Sequence, residues 1–191
     1  MSEEDRIVVG VSGASGAPIA VRVLRALREA NRPVSLVVSE GARTVLKEEC
    51  DCGPETLRPW ATDFYEDRDL AAPIASGSVR TAGMVVVPCS GNTVAKIALG
   101  LSDTLLTRAA AVHLKERRRL VLVPRETPLS TTLLRHLTTL SELGAVVLIA
   151  SPAYYLRPTT VEETTDYLAG KVLDHLGVPH RLYRGWKAGG T

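Results

Sequence analysis

Aromatic side chains are scarce in this chain, at 4% with one phenylalanine. Proteins that hold single-stranded nucleic acid stack bases on such rings. The net charge of only +2 supplies no broad basic footprint either, so no nucleic-acid partner is expected. Cysteines number three, Cys50, Cys52 and Cys89. That odd, small set builds no disulfide framework, and one Cys-x-Cys without further ligands makes a poor zinc site. No apolar run reaches the roughly 18 residues of a membrane span, and no membrane partner is expected. The start, MSEEDR, is acidic and polar, unlike a signal peptide. A cytoplasmic location is the expectation. The histidines are His113, His136, His175 and His180; none shows ligand spacing, so no metal site is expected.

What is present reads as one globular domain over residues 1–191, with 45% hydrophobic and 23% charged residues. Strand and helix signals alternate. Ile7–Val11 reads as a buried strand, and an apolar face of Ile19, Ala20, Val23, Leu24 and Leu27 predicts a helix over Ala17–Ala30. Val34–Val38 reads as the next strand, with a short helix through Glu49. Cys50–Gly83, with Pro54, Pro59 and Pro73, reads as loop with short helical pieces. Strands are expected at Met84–Val87, Leu120–Val123 and Ala145–Ile149. Helical patterning resumes near Val94. It returns in Ser130–Leu143, where Leu129, Leu133, Leu134, Leu137, Leu140 and Leu143 form the apolar set and His136 falls on the polar side. Thr160 to Glu163 reads as a capping box opening a last helix that Gly177 stops. The fold class expected is α/β: a Rossmann-like (flavodoxin-like) three-layer sandwich around a parallel sheet.

Ligands in such sheets bind beyond the carboxyl ends of the strands. The segments expected there are SGASG, Ser39, PCSGNT, PRETP and SPAYYLRP. The first, Ser12–Gly16, is a strand-to-helix turn almost without side-chain bulk, which suits an anion at the N-terminus of the first helix. Gly10, Gly13 and Gly16 are each three apart, so the dinucleotide spacing G-x-G-x-x-G is absent, and no Gly-Lys-Ser/Thr follows. These features favour a mononucleotide or flavin phosphate over NAD or ATP. Pro88–Thr93 places Ser90, Asn92 and Thr93 after a strand, more polar groups than one helix cap needs. Arg117 to Arg119 read as a solvated helix end. Arg108 and Lys115 share a face if their stretch is one helix. Arg125 and Glu126 form a charged pair between two prolines at the binding edge. Tyr154 and Tyr155 either pack a loop over the core or face a ligand, and Lys171 alone would be a surface lysine.

These segments together resemble the UbiX-type flavin prenyltransferases. The likeness is carried by SGASGAP, ASGS (Ala75–Ser78), PCS, LLTRAA (Leu105–Ala110), LKERR, LVLVPRETPL (Leu120–Leu129) and PAYYLRP (Pro152–Pro158), and it runs from about Arg6 to Trp186. The resemblance implies transfer of a dimethylallyl group from dimethylallyl monophosphate to reduced FMN, with a new ring across flavin N5 and C6. It implies prenylated FMN as product and a UbiD-type decarboxylase as recipient. It also implies a homododecamer with sites between subunits and no metal. By matching positions, Gly13, Ala14, Ser15, Ser39, Ser90, Gly91, Asn92, Thr93 and Arg125 would hold FMN. Tyr155 and Lys171 would hold the prenyl phosphate, and Arg108, Lys115, Glu49 and Glu126 would complete the charged site. Glu126 and Ser15 are the candidates for proton handling.

Three positions depart from the family pattern: Lys171 for arginine, Leu70 for a frequent tryptophan, and Ala111 for aspartate. PCSGNT also resembles a segment of flavin-dependent cysteine decarboxylases, but those use a histidine ahead of it and none precedes His113 here. An FMN-binding electron-transfer or cofactor-carrier protein of the same fold is the remaining alternative.

Overall fold

Five consecutive apolar or small residues, with no polar alternation, fit a strand covered on both faces. Ile7–Val11 (β1) is such a strand, buried along its whole length, as is Val34–Val38 (β2). In the computed structural model, which describes residues 5–185, these two pair in parallel. The first four residues, within the polar start noted above, and Trp186 lie outside the described residues. The remaining strands are Asp63–Glu66 (β3), Gly83–Cys89 (β4), Leu120–Pro124 (β5) and Val146–Val147 (β6). All pairings are parallel, and the order is β3-β2-β1-β4-β5-β6. The order reverses between β1 and β4, which opens a crevice outside their carboxyl ends.

The helices are Ala17–Glu29 (α1), Glu40–Cys50 (α2), Gly91–Ala98 (α3), Leu105–Lys115 (α4), Thr131–Glu142 (α5) and Val161–Leu176 (α6). Side chains alternate across the sheet, so two cores form. Ile7, Val9 and Val11 pack with α1, α2 and α6 on one face. Val8, Met84 and Val86 pack with α3, α4 and α5 on the other. Leu24 and Leu27, fully buried, each contribute about 2 kcal/mol through removal of apolar area from water. Among the described residues no helix is long and apolar enough to cross a membrane, and no group of three or more His, Cys, Asp and Glu is placed to hold a metal ion.

The expected elements stand, with shifted ends (β4 runs Gly83–Cys89) and the following differences. β3 lies within the segment read as loop; its residues DFYE are only partly buried at the sheet edge, so they show no apolar run. α3 begins at Gly91, three residues before Val94, because Ser90 caps it. The sixth strand keeps only Val146–Val147 of Ala145–Ile149. Of the α5 leucines, Leu134 and Leu143 are exposed, and Leu133, Leu137 and Leu140 carry the packing. At the start of α6, the Thr160 side chain accepts the Glu163 N–H, and the Glu163 carboxylate reaches back to the Thr159 N–H at 2.5 Å. Arg118 is not merely solvated: its guanidinium donates to the carbonyls of Gly77 (2.5 Å) and Val79 (2.6 Å).

His113 is a satisfied core histidine, 1% exposed. Its ring nitrogens meet the Ala109 carbonyl and the Thr81 hydroxyl, each at 2.8 Å. Burial pushes its pKa down to about 4, against the raising effect of Ala109 and with Arg118 adding to the fall. The unfolded chain, with an ordinary histidine, then binds more protons at mildly acidic pH. Stability is therefore full above about pH 6.5 and is lost as pH falls toward 4, by about 2 kcal/mol between pH 7 and 5. Urea unfolding at both pH values checks this against His113→Gln, which has no ring to titrate. Equal pH slopes in the two proteins would remove His113 as the cause.

Candidate functional site

The β1–β4 crevice is built from helix starts. Ser39 caps α2, its hydroxyl accepting the Ala42 N–H at 3.3 Å. Ser90 caps α3, accepting the Thr93 N–H at 3.2 Å, and the Thr93 hydroxyl lies 2.9 Å from the Ser90 hydroxyl. Between these caps lies a cavity of about 310 Å3 lined by Gly13, Ser39, Ser90, Asn92, Thr93 and Lys96, among others. Gly13 is required by close approach: a Cβ there would stand 3.0 Å from the backbone of Gly41 in α2. Two helix N-termini open on this small-residue cavity and suit an anion; Asp67 also lines it, and Lys96 at its rim is paired with Asp103 at 2.6 Å. A phosphate monoester fits that donor set.

Buried Ser12 ties the two walls of the crevice. Its hydroxyl donates to the Pro88 carbonyl at 2.9 Å and accepts the Ser90 N–H at 2.8 Å. The wall after β1 is thereby fixed to the wall after β4.

The N-terminus of α1 already holds an anion, which corrects the expectation of a ligand phosphate there. The carboxylate of Glu49, from the last turn of α2, accepts the N–H groups of Gly16 and Ala17, each at 2.8 Å. Gly16 has φ 120° and no side chain to cap with, so the cap comes from a distant residue. Partial burial would raise the Glu49 pKa. The Ser15 hydroxyl, the two N–H groups and the Arg125 charge outweigh it and hold the carboxyl below its ordinary value. Glu49 is thus a fixed carboxylate at neutral pH. Arg125 also donates to the Ser15 carbonyl at 3.4 Å, so Ser15, Glu49 and Arg125 form one group.

The other candidates fall into further groups. Glu126 is exposed after β5, where its carboxylate accepts the Thr127 N–H at 3.1 Å. It lines a groove with Gly91, Ser130 and His136, so His136 faces this groove as well as solvent. Tyr154 and Tyr155 are exposed at 81% and 46%, so they do not pack over the core. Tyr155 hydrogen-bonds Tyr167 of α6, and Lys171 lies close enough to act on the same ring.

Arg108 and Lys115 do share α4, as the spacing suggested. Arg108 donates to the Ala75 carbonyl at 3.0 Å, and Lys115 pairs with Glu116 beside Gly77. α4 starts at the carboxyl edge, where the Leu105 N–H meets the Asp67 carbonyl. It runs about 16 Å toward the opposite edge. It also packs on the face opposite α6. One chain therefore does not bring Lys115 together with Glu126, Tyr155 and Lys171.

Sequence reasoning missed Lys96 and Asp67. Lys96 stands three residues after Thr93 on α3, a helical spacing that places it over the same cavity. Asp67 accepts the Leu106 N–H at 2.9 Å and orders the start of α4; no local pattern marks it.

The chain matches the Flavoprotein family model over residues 1–173. It is 51% identical to the flavin prenyltransferase UbiX of Thermoplasma acidophilum, covering 95% of this chain and 99% of the relative. It is 46% identical to the flavin prenyltransferase UbiX of Streptomyces coelicolor, covering 94% of each. Among solved structures, a UbiX protein in complex with FMN and dimethylallyl pyrophosphate is 43% identical, with a TM-score of 0.91 over 95% of this chain and 98% of that one. A dodecameric FMN-dependent UbiX-like decarboxylase from Escherichia coli O157:H7 is 42% identical, with a TM-score of 0.93 over 96% and 100%. The peptidyl-cysteine decarboxylase EpiD, at 18% identity and a TM-score of 0.64, shares the fold alone. With this crevice and these relatives, the chain belongs to the UbiX flavin prenyltransferases, within the Flavoprotein family.

Proposed function

We propose that this chain is a cytoplasmic enzyme that transfers a dimethylallyl group from dimethylallyl monophosphate to N5 and C6 of reduced FMN. The observation that carries this reading is the junction at the carboxyl edge of the sheet. An anion cavity between two helix N-termini adjoins the Ser15, Glu49 and Arg125 group through the β1 turn. Gly13, Ala14, Ser39, Ser90, Gly91, Asn92 and Thr93 hold the flavin and its phosphate; Lys96, paired with Asp103, borders the same cavity. Arg125 reaches the flavin side of the same edge. Bound reduced FMN supplies the nucleophilic N5 and C6.

The chain's own groups handle the leaving phosphate. A monophosphate leaves poorly unless its developing charge is met, and cationic and phenolic donors do that. Tyr155 and Lys171 bind it in one copy, and Glu126 supplies or takes the proton. Ser15, hydrogen-bonded to the Glu49 carboxylate, is a second proton carrier. Lys115, at the end of α4 away from the carboxyl edge, comes from another copy across a subunit interface, and Arg108 on the same helix acts with it. This is consistent with a homododecamer, the assembly named for the E. coli relative. The product, prenylated FMN, passes to a UbiD-type decarboxylase.

Incubation of the protein with FMN, dithionite and dimethylallyl monophosphate under nitrogen is expected to add one isoprene unit to the flavin, read by mass and absorbance. A parallel arm with the diphosphate identifies the donor. Bound flavin without adduct in either arm would leave a carrier or electron-transfer protein and end the enzymatic reading.

A further inference from the structure

Lys171 is not an isolated surface lysine. Its ammonium lies 3.3 Å from Asp174 Oδ2. The same carboxylate accepts the Tyr183 hydroxyl at 2.5 Å and meets His180 Nε2 at 3.0 Å. His180 Nδ1 accepts the Leu182 N–H at 3.2 Å, so Nε2 carries the proton and donates to Asp174. Three donors thus converge on one carboxylate. They hold the Asp174 pKa below its ordinary value against burial.

The chain after α6 is seated to make this possible. Gly170, one residue before Lys171, lies under the rings of Tyr183 and His180. A Cβ there would stand 2.5 Å from Tyr183 Cδ1 and 2.8 Å from His180 Cε1. Tyr183 also packs edge-on against Tyr167, with centroids 5.1 Å apart, and Tyr167 hydrogen-bonds Tyr155. This group therefore contacts Lys171 directly and Tyr155 through Tyr167, the two residues assigned to the donor phosphate.

We infer that Asp174, held by Tyr183 and His180 over Gly170, is a positioning residue that fixes the Lys171 ammonium for the donor phosphate. The inference rests on the reading of Lys171 as a donor-phosphate ligand. A lysine is a point charge on a flexible stem, without the planar fork of arginine. Ordering it costs rotamer entropy that a fixed counter-ion removes in advance. Asp174 competes weakly with a phosphate dianion, because its charge is shared among three donors. Asp174 and the Tyr183 hydroxyl both engage the ammonium, which leaves one of its three protons free to donate.

The test is donor KM and kcat, with FMN affinity measured alongside, in Lys171→Ala, Asp174→Asn, the double variant and Gly170→Ala. Asp174→Asn is expected to raise the KM for dimethylallyl monophosphate roughly tenfold, with kcat and FMN affinity within about twofold. In the Lys171→Ala background the same change adds nothing, as for two residues acting as one. Gly170→Ala pushes the Tyr183 and His180 rings off the helix, so its thermal midpoint is expected to fall only if the rings cannot move away. It still raises donor KM, because the rings lose their seat. If Lys171→Ala leaves donor KM unchanged, the reading of Lys171 falls and the inference with it. If Lys171→Ala raises it but Asp174→Asn does not, or the two effects simply multiply, only the inference falls. A wild-type donor KM in Gly170→Ala likewise overturns it.

Discussion

Glu126→Gln is expected to slow adduct formation by about a hundredfold to ten-thousandfold while FMN still binds. That range is what one positioned acid or base contributes to a proton transfer in the transition state. The change is isosteric, so the Thr127 N–H keeps an oxygen acceptor and the loop after β5 keeps its shape. What disappears is the transferable proton. The departing phosphate then leaves with its full charge, or the flavin C6 proton stays in place. A single-turnover experiment with pre-reduced FMN separates the cases, because it reads bond formation without product release. FMN affinity should stay within about twofold, since the cavity between α2 and α3 proposed for its phosphate does not include residue 126. A Glu126→Gln enzyme that forms adduct at the wild-type rate would remove Glu126 from the chemistry.

A mixture of two dead variants is expected to regain activity. Lys115 ends α4 after a run of about 16 Å from the carboxyl edge, where Glu126 sits. If each site takes Lys115 from one copy and Glu126 from another, Lys115→Ala and Glu126→Gln damage different donors. In oligomers co-expressed at equal amounts, about a quarter of the sites would draw an intact residue from each side. The expected result is recovery of roughly a quarter of wild-type activity per site, from parents that each show almost none. Mixing the purified parents without subunit exchange serves as the baseline. If co-expressed oligomers stay at the baseline, both residues act within one copy, and the proposed interface site is wrong.

The architecture was legible wherever burial writes itself locally. β1, β2 and β5 are short apolar runs ended by turn residues, and α1, α5 and α6 carry a visible face or cap. β3 was not legible because an edge strand need not be apolar on both faces, and DFYE has no contrast with its flanks. The candidate site divides the same way. The caps Ser39 and Ser90 and the bare turn at Gly13 announce themselves by position. Glu49 was reached only through resemblance, since its partners Gly16 and Ala17 are 33 and 32 residues away. The separation of Lys115 from Glu126 could not be read at all. Helical spacing relates residues within α4 and says nothing about which edge of the sheet its end will reach.

The Ser12 bridge has a consequence for selectivity. Because one side chain clasps the turns after β1 and β4, the mouth between them has a set width before any ligand arrives. Recognition there works as a gauge rather than as a closing hand. Under the proposed reading, a guest whose phosphate stem is too thick for the clasped turns is expected to be refused by geometry, and one that fits to be held with both turns in place.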